Sequence, residues 1–422
     1  MSKLGAQRIG ALAVLILLIA FGVSAFRTGS MPKSLPASLA TLGLTESPLT
    51  KGQLGLALAD STSFYHFPSE VDLTLDGAHA PVHAVVEYAF DAKLQDRVQQ
   101  VFRNYGPDYG AFVALDPKTG RILSMVSYSR NPLIKDNLAL RATFPSASVF
   151  KVVTAAAAIE EQKFNANTLI SFTGQNHTLY RQNVFKTKTN RWTRYSTLKE
   201  AFAKSINTVF GRIGAYSLKP EQLRLYADRF GFNRKIASDV PMQGGSALIP
   251  SNDPWGVAEA ASGYTRDNTM SPLQGALIAA SVVNDGTMME PYLVQAVYHS
   301  DGTPMYTAQP TVSAETVDPS TAREIRSLMR ETVFNGTCKH AFRGFFKGEC
   351  SNIDVGGKTG TLNGLNPAGR YDWFVGFAEN GGQKIAFASL TIHNRVWRVK
   401  SSQIARKAIE AYFAPNMKQR DR

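Results

Sequence analysis

The sequence predicts a mixed fold of the α/β (α+β) class, and three observations carry that reading. Short apolar runs of strand length fall near 110–116 and 121–127, and again near 372–378 and 384–392. Longer apolar or periodic stretches of helical length lie near 148–161, 198–215, 319–334 and 402–413. Early and late strands must then meet in one sheet, with most of the helices inserted between them. A chain of 422 residues that is 44% hydrophobic can bury at least one large core, as one big domain or two modest ones.

The elements follow in chain order. Ile9 to Phe26 is an unbroken run of 18 residues without a charge, preceded by Lys3 and Arg8 and by no acid. As a helix it is about 27 Å long, enough to cross a bilayer once. The expectation is a membrane anchor at 9–26, a cytoplasmic stub at 1–8, and export of everything from Arg27 onward. The competing reading is a removable signal peptide cut after Val23-Ser-Ala25, which also exports the chain. Residues 27–84, rich in Pro, Ser and isolated glycines, read as a linker with a small accessory region. Asp116-Pro-Lys-Thr-Gly120 is a turn signal between two apolar runs, Ala111 to Leu115 and Ile122 to Val126, hence a hairpin. Val149 to Ile159 holds four consecutive alanines among apolar neighbours and reads as a buried helix. Thr197-Leu-Lys-Glu200 has the form of a capping box and starts the next one.

Charge narrows the partners without choosing among them. The formal net charge is +13, while residues 1–80 hold five basic and five acidic side chains, so the excess belongs to the remainder. A basic domain suits nucleic acid, anionic lipid or a cell-wall precursor. Gln175 to Ser196 interleaves Arg181, Lys186, Lys188, Arg191 and Arg194 with Tyr180, Phe185, Trp192 and Tyr195, and contains no acid. No nucleic-acid motif accompanies it, so the expectation is no nucleic acid. It reads as a solvated loop first, and as a contact with anionic precursor or glycan second. His79 and His83 have helical ligand spacing, but Pro81 between them argues against that helix, and no metal is assigned. Cys338 and Cys350, twelve positions apart, are expected to form a disulfide in an oxidising compartment, with two free thiols as the alternative.

Three strings point to chemistry: Ser148-Val-Phe-Lys151, Ser205-Ile-Asn207 and Lys358-Thr-Gly-Thr361. They supply a serine with an amine base, a hydroxyl with an amide, and a cationic strand edge with two hydroxyls, which together suit acyl transfer through a serine ester. Each string has a decoy: Ser30-Met-Pro-Lys33, Ser196-Thr-Leu-Lys199, Ser129-Arg-Asn131 and Lys118-Thr-Gly120. Context separates them. Ser148 opens a buried helix, where its oxygen meets the positive end of the helix dipole and Lys151 shares its face. Burial lowers the Lys151 pKa, so that it could accept the hydroxyl proton at neutral pH; the string taken alone also reads as a capped core helix with a snorkelling lysine. No Gly-x-Ser-x-Gly elbow is present, which removes a histidine-dependent hydrolase.

The order and spacing of the strings, with gaps of 57 and 153 residues, resemble those of the penicillin-binding transpeptidases. Gly110 to Val126, Ser271-Pro-Leu-Gln274, Asn284-Asp-Gly286, Pro291-Tyr-Leu-Val294, Gly336-Thr337 and Trp373-Phe-Val-Gly-Phe377 extend the likeness. It runs from about Val85 to Phe413, and places the transpeptidase domain at 85–415 with a basic tail at 416–422. The resemblance implies a five-stranded antiparallel sheet flanked by helices beside an all-helical lobe, with the active site at their junction. It also implies a peptidoglycan D,D-transpeptidase, class B-like, that β-lactams acylate.

In such an enzyme Ser148 attacks a D-Ala-D-Ala stem, Lys151 is general base, Ser205 relays protons, and Asn207 holds the substrate amide and Lys151. Lys358 polarises Ser205, while Thr359, Gly360 and Thr361 bind substrate, the two threonines through its carboxylate. Backbone N–H groups of Ser148 and Thr361 form the oxyanion hole. No cofactor is implied. The expected partners are peptide stems, β-lactams, membrane lipid and a separate glycan polymerase, since about 60 residues between anchor and domain leave no room for a glycosyltransferase. A D,D-carboxypeptidase is the nearest alternative; a class D-like β-lactamase and a β-lactam receptor are more distant. The expected location is the bacterial cytoplasmic membrane, with the catalytic domain outside the cytoplasm.

Overall fold

A computed structural model of the chain describes residues 49–61, 67–74, 81–134 and 136–414. The anchor at 9–26, the Ser30 decoy, His79 and the tail at 416–422 lie outside the described residues. No described helix is long and apolar enough to cross a membrane.

Five antiparallel strands form the central sheet, in the order Asp354–Leu365, Ala368–Asn380, Gln383–His393, Tyr109–Leu115, Ile122–Ser129. The early hairpin and the late strands do meet, with Ser389 opposite Phe112 and Leu390 opposite Ala111. Side chains alternate across this sheet as the strand period requires. Ala111, Val113, Trp373, Val375, Ala388 and Leu390 face one core, which contains the helices Lys151–Gln162 and Pro272–Val283. Phe112, Ala114, Phe374, Ile385 and Phe387 face a second, closed by the helices Ala92–Tyr105 and Ser401–Phe413. Because both faces are covered, the strands read as nearly continuous apolar runs.

Gly120, at φ +80°, closes the hairpin turn; a Cβ there would stand 2.1 Å from the Glu290 carbonyl oxygen, so glycine is required. Pro272–Val283 is buried at every position and begins with Ser271 accepting the Gln274 N–H at 3.1 Å.

A smaller four-stranded sheet pairs Glu70–Leu73 and Val82–Tyr88 with Val294–His299 and Pro304–Thr307, against the helix Lys51–Ser61. The boundary expected at 84/85 therefore falls inside a strand. The accessory region is completed by strands from the middle of the chain. Asp239, fully buried, ties this sheet to the main body by accepting the N–H groups of Leu293 at 2.9 Å and Val294 at 2.7 Å.

Two expectations are corrected. The helix expected over 198–215 is broken: Leu198–Ala203 ends, Ser205 takes a left-handed φ of +54°, and a new helix starts at Asn207–Arg212 before a wider turn at Ile213–Ser217. The apolar period runs through the break because both halves face the same core. Cys338 and Cys350 are free, buried thiols and not a disulfide. The residues between them fold as successive turns, and each sulfur packs in the second core near Phe342 and Phe345. Burial pushes both thiols up from their ordinary pKa. His83 sits on a strand and pairs with Asp72 at 2.9 Å. Among the described residues no group of His, Cys, Asp or Glu converges as a metal site.

Candidate active site

Ser148 lies in a single 3₁₀ turn, Ala147–Phe150, which runs directly into the helix Lys151–Gln162. Ala147 precedes it at φ +48°, a conformation that costs a non-glycine residue about 1 kcal/mol and turns the serine out of the core. Gly263 packs on the back of this turn. Its φ is +66°, and a Cβ there would stand 1.9 Å from the Ala147 carbonyl oxygen.

Lys151 is fully buried. Its Nζ lies 2.7 Å from Ser148 Oγ, 2.7 Å from Asn207 Oδ1 and 2.5 Å from the Ser262 carbonyl oxygen. Asn207 donates its Nδ2 to the His177 carbonyl at 2.9 Å, which fixes the amide so that its oxygen faces the lysine. Two of the three partners of Nζ can therefore only accept. A neutral amine has two N–H donors for them and one lone pair left, directed at the Ser148 hydroxyl. Burial first, then the Lys358 charge, push the Lys151 pKa well below the ordinary lysine value, the direction that favours this neutral form.

The other two strings arrive from different parts of the fold. The helix break lifts Ser205 Oγ to within 3.0 Å of Lys358 Nζ, across 153 residues of sequence. Lys358, also fully buried, donates to its neighbour's carbonyl on Thr359 at 2.9 Å, and burial pushes its pKa down to about 7. Thr359 shares a 2.5 Å hydrogen bond with Thr337, and Thr361 donates to Asp372 Oδ1 at 3.3 Å from the paired strand. Gly360 passes close beside the nucleophile turn: a Cβ on it would lie 3.3 Å from the Ser148 nitrogen.

Ser148, Ser205, Asn207, Thr359, Gly360 and Thr361 line one cleft of about 430 Å³, with Lys151 and Lys358 beneath its floor. The described decoys lie apart from it. Ser196 bonds Glu200 and Thr197 caps the following helix, whereas Lys118-Thr-Gly120 makes the hairpin turn and Ser129 bonds the Asn131 carbonyl at the end of a strand. Several lining residues were not singled out from sequence: His177, Tyr264, Arg370, Asp372, Trp397, Lys400 and Ser402. Asp372 stood beside the Trp373-Phe-Val-Gly-Phe377 block, His177 inside the acid-free segment 175–196, and Ser402 at the start of the expected helix 402–413. The others carry no local pattern, because they reach the cleft by tertiary packing. Arg370 and Lys400 both stack on Trp397, at 4.6 Å and 5.3 Å from its ring centre.

A family model described as the penicillin-binding protein transpeptidase domain matches residues 110–412, so the chain belongs to that family. It is similar to the peptidoglycan D,D-transpeptidase PbpA of Mycolicibacterium smegmatis, at 31% identity over 318 residues. That alignment covers 68% of this chain and 62% of the relative, so this chain spans less than two thirds of that relative's length. Among solved structures it is similar to PBPA from Mycobacterium tuberculosis, with a TM-score of 0.63 at 27% identity over 78% of this chain and 82% of that one. The same M. tuberculosis protein as an imipenem acyl-enzyme complex matches with a TM-score of 0.62 at 27% identity, over 78% and 80% of the two chains.

Proposed function

We propose that this chain is a serine D,D-transpeptidase that cross-links peptidoglycan peptide stems through an acyl-enzyme on Ser148, and that β-lactams acylate the same oxygen. The observation that carries this reading is the fully buried Lys151 amine, 2.7 Å from the Ser148 hydroxyl and with its pKa pushed well below the ordinary lysine value by burial. Its similarity to PbpA, named for this activity, and to a penicillin-binding protein trapped as an imipenem acyl-enzyme supports it.

The step balances on the residues present. Ser148 Oγ bonds to the carbonyl carbon of the penultimate D-alanine while its proton passes to Lys151 Nζ. The negative charge that develops on the carbonyl oxygen meets the N–H groups of Ser148 and Thr361, where losing one donor costs about a hundredfold to a thousandfold in rate. The C–N bond then breaks, and the proton reaches the departing D-alanine amine through Ser205, which Lys358 holds in place. An amine from a second stem attacks the ester, gives its proton to Lys151, and Ser148 leaves with a proton restored. Lys358, Thr359 and Thr361 receive the terminal carboxylate of the donor stem. The catalytic domain acts outside the cytoplasm, tethered by 9–26, on glycan made by a separate polymerase.

The test uses purified full-length chain in detergent, given polymerised glycan with pentapeptide stems. Cross-linked dimers that vanish in Ser148→Ala support the reading. Release of D-alanine with only tetrapeptide monomers makes the enzyme a carboxypeptidase, and overturns transpeptidation while keeping the nucleophile.

A further inference from the structure

We infer that the segment between the cleft and the edge ribbon, residues 175–196, is a binding surface for the polymeric glycan strand with its acidic peptide stems. The inference rests on the proposed function and names where the polymer lies beyond the reacting bond.

The segment begins in the active site. The Asn176 carbonyl accepts the Asn207 N–H at 2.8 Å and the His177 carbonyl accepts the Asn207 side chain, so its first turn is held by a residue that also holds Lys151. From there the chain runs outward through the short helix Arg181–Phe185. It returns in the strand Arg194–Thr197, paired with Leu169–Phe172. It is anchored midway as well: Arg212 donates to the carbonyls of Val184 at 2.8 Å and Lys186 at 2.9 Å. The excursion is thus built at fixed distance from Ser148.

What it presents is unusual for a solvated loop. Arg181, Lys186, Lys188, Arg191 and Arg194 are all exposed, and among the described residues none of the five forms an ion pair with a carboxylate. No acid occurs from Gln175 to Ser196 to offset their mutual repulsion. Alongside them stand exposed aromatic rings: Trp192 at 67%, Tyr195 at 59% and Tyr180 at 55%. Arg191 lies over the Trp192 ring at 4.8 Å and Arg181 over the half-buried Phe185 ring at 5.7 Å, so one face of each of these two rings is backed by a guanidinium group. Tyr180, Arg181, Gln182, Phe185 and Pro254 border an open depression of about 810 Å³.

Exposed amphipathic rings offer apolar faces to the C–H faces of sugar rings, and exposed cations offer partners to stem carboxylates. One polymer carries both groups in repetition. The cleft of about 430 Å³ admits a stem terminus but not a strand, and binding along the strand away from the reacting bond raises the local concentration of stems at Ser148.

The experiment uses the full-length chain in detergent with Ser148→Ala, so that retention cannot arise from covalent capture. The probe is purified uncross-linked glycan bearing pentapeptide stems. Parent chain is expected to bind it with an affinity that falls as salt rises. The triple substitution Arg181→Gln, Lys188→Gln and Arg191→Gln is expected to weaken binding about tenfold or more, and Trp192→Ala to weaken it severalfold with little change in salt dependence. In the Ser148 background the same variants are expected to label with fluorescent penicillin at the parent rate and to keep the parent melting temperature. Unchanged glycan binding in the variants overturns the inference. So does a result in which the variants lose binding only to vesicles of anionic phospholipid, which makes the surface a membrane contact. A parent that takes no penicillin label counts against the proposed function, whereas glycan retention is read separately on the Ser148→Ala chain.

Discussion

Thr361 gives its hydroxyl proton to Asp372, 3.3 Å away on the paired strand, and so meets the cleft with its donor already engaged. The other oxygen of Asp372 accepts the Ser401 N–H at 2.7 Å and the Ser401 hydroxyl at 2.8 Å, at the start of the last helix. A substrate carboxylate must compete with this internal acid for the Thr361 proton, and desolvation, the largest influence on Asp372, pushes its pKa up.

Asp372→Asn should reverse that competition. The amide oxygen can keep the Ser401 bonds while the amide N–H donates to Thr361, freeing the threonine proton for the ligand. Acylation by penicillin G at pH 8 is expected to rise severalfold relative to parent, and the two rates to converge as acid protonates Asp372. A second-order rate constant for Asp372→Asn that is equal or lower across the range defeats this assignment.

Lys151→Ala removes the base but leaves the cleft lining intact. Acylation is expected to fall by roughly a thousandfold. Peptide mapping of slow parent labelling should place the adduct on Ser148 and never on Ser196, which is buried against Glu200. An adduct on any other serine would falsify the mechanism.

The two buried lysines give the acylation rate a bell-shaped pH profile. Lys151 must be neutral, so the rate is lost on the acid side as it gains a proton. In the proposed mechanism Lys358 attracts the substrate carboxylate as a cation, and with its pKa at about 7 the rate is expected to decline above that pH as the charge is lost. The two amines interact, so the limbs belong to the pair. Stability moves in the opposite sense on the alkaline side. Lys358 is depressed from 10.5 to about 7, so the penalty for burying its charge is complete below about 7 and is relieved as pH rises toward 10.5. Lys358→Met is therefore expected to melt above the parent at pH 6, with the gap closing by pH 10. A gap that widens with pH reverses the sign and refutes the assignment.

Two thiols should react after unfolding in denaturant whether or not a reductant is present, because Cys338 and Cys350 are free. In the native chain alkylation is expected to be slow, since burial keeps both sulfurs protonated. A mass difference of two thiols between reduced and unreduced samples would show a bridge instead.

Local chemistry was legible wherever neighbours in sequence are neighbours in space. The hairpin around Asp116-Pro-Lys-Thr-Gly120, the Ser148 to Lys151 face and the Thr197 cap each depend on separations of a few residues, and backbone geometry settles such contacts almost alone. The order of the three strings supplied the family, and with it the five-stranded sheet. Other features depended on packing. The break at Ser205 is invisible in the apolar period, because both helical halves bury the same face; it exists where the left-handed turn brings Ser205 to Lys358. Asp372 reaches the cleft from the paired strand, Trp397 from the loop before the last helix, and Lys400 from that helix's N-cap. The cysteine spacing permitted a bridge, but orientation decides a disulfide, and the turns between 338 and 350 bury each sulfur in the second core as a free thiol. Spacing along a chain sets what residues can reach, whereas the direction a side chain points is set by the core that closes around it.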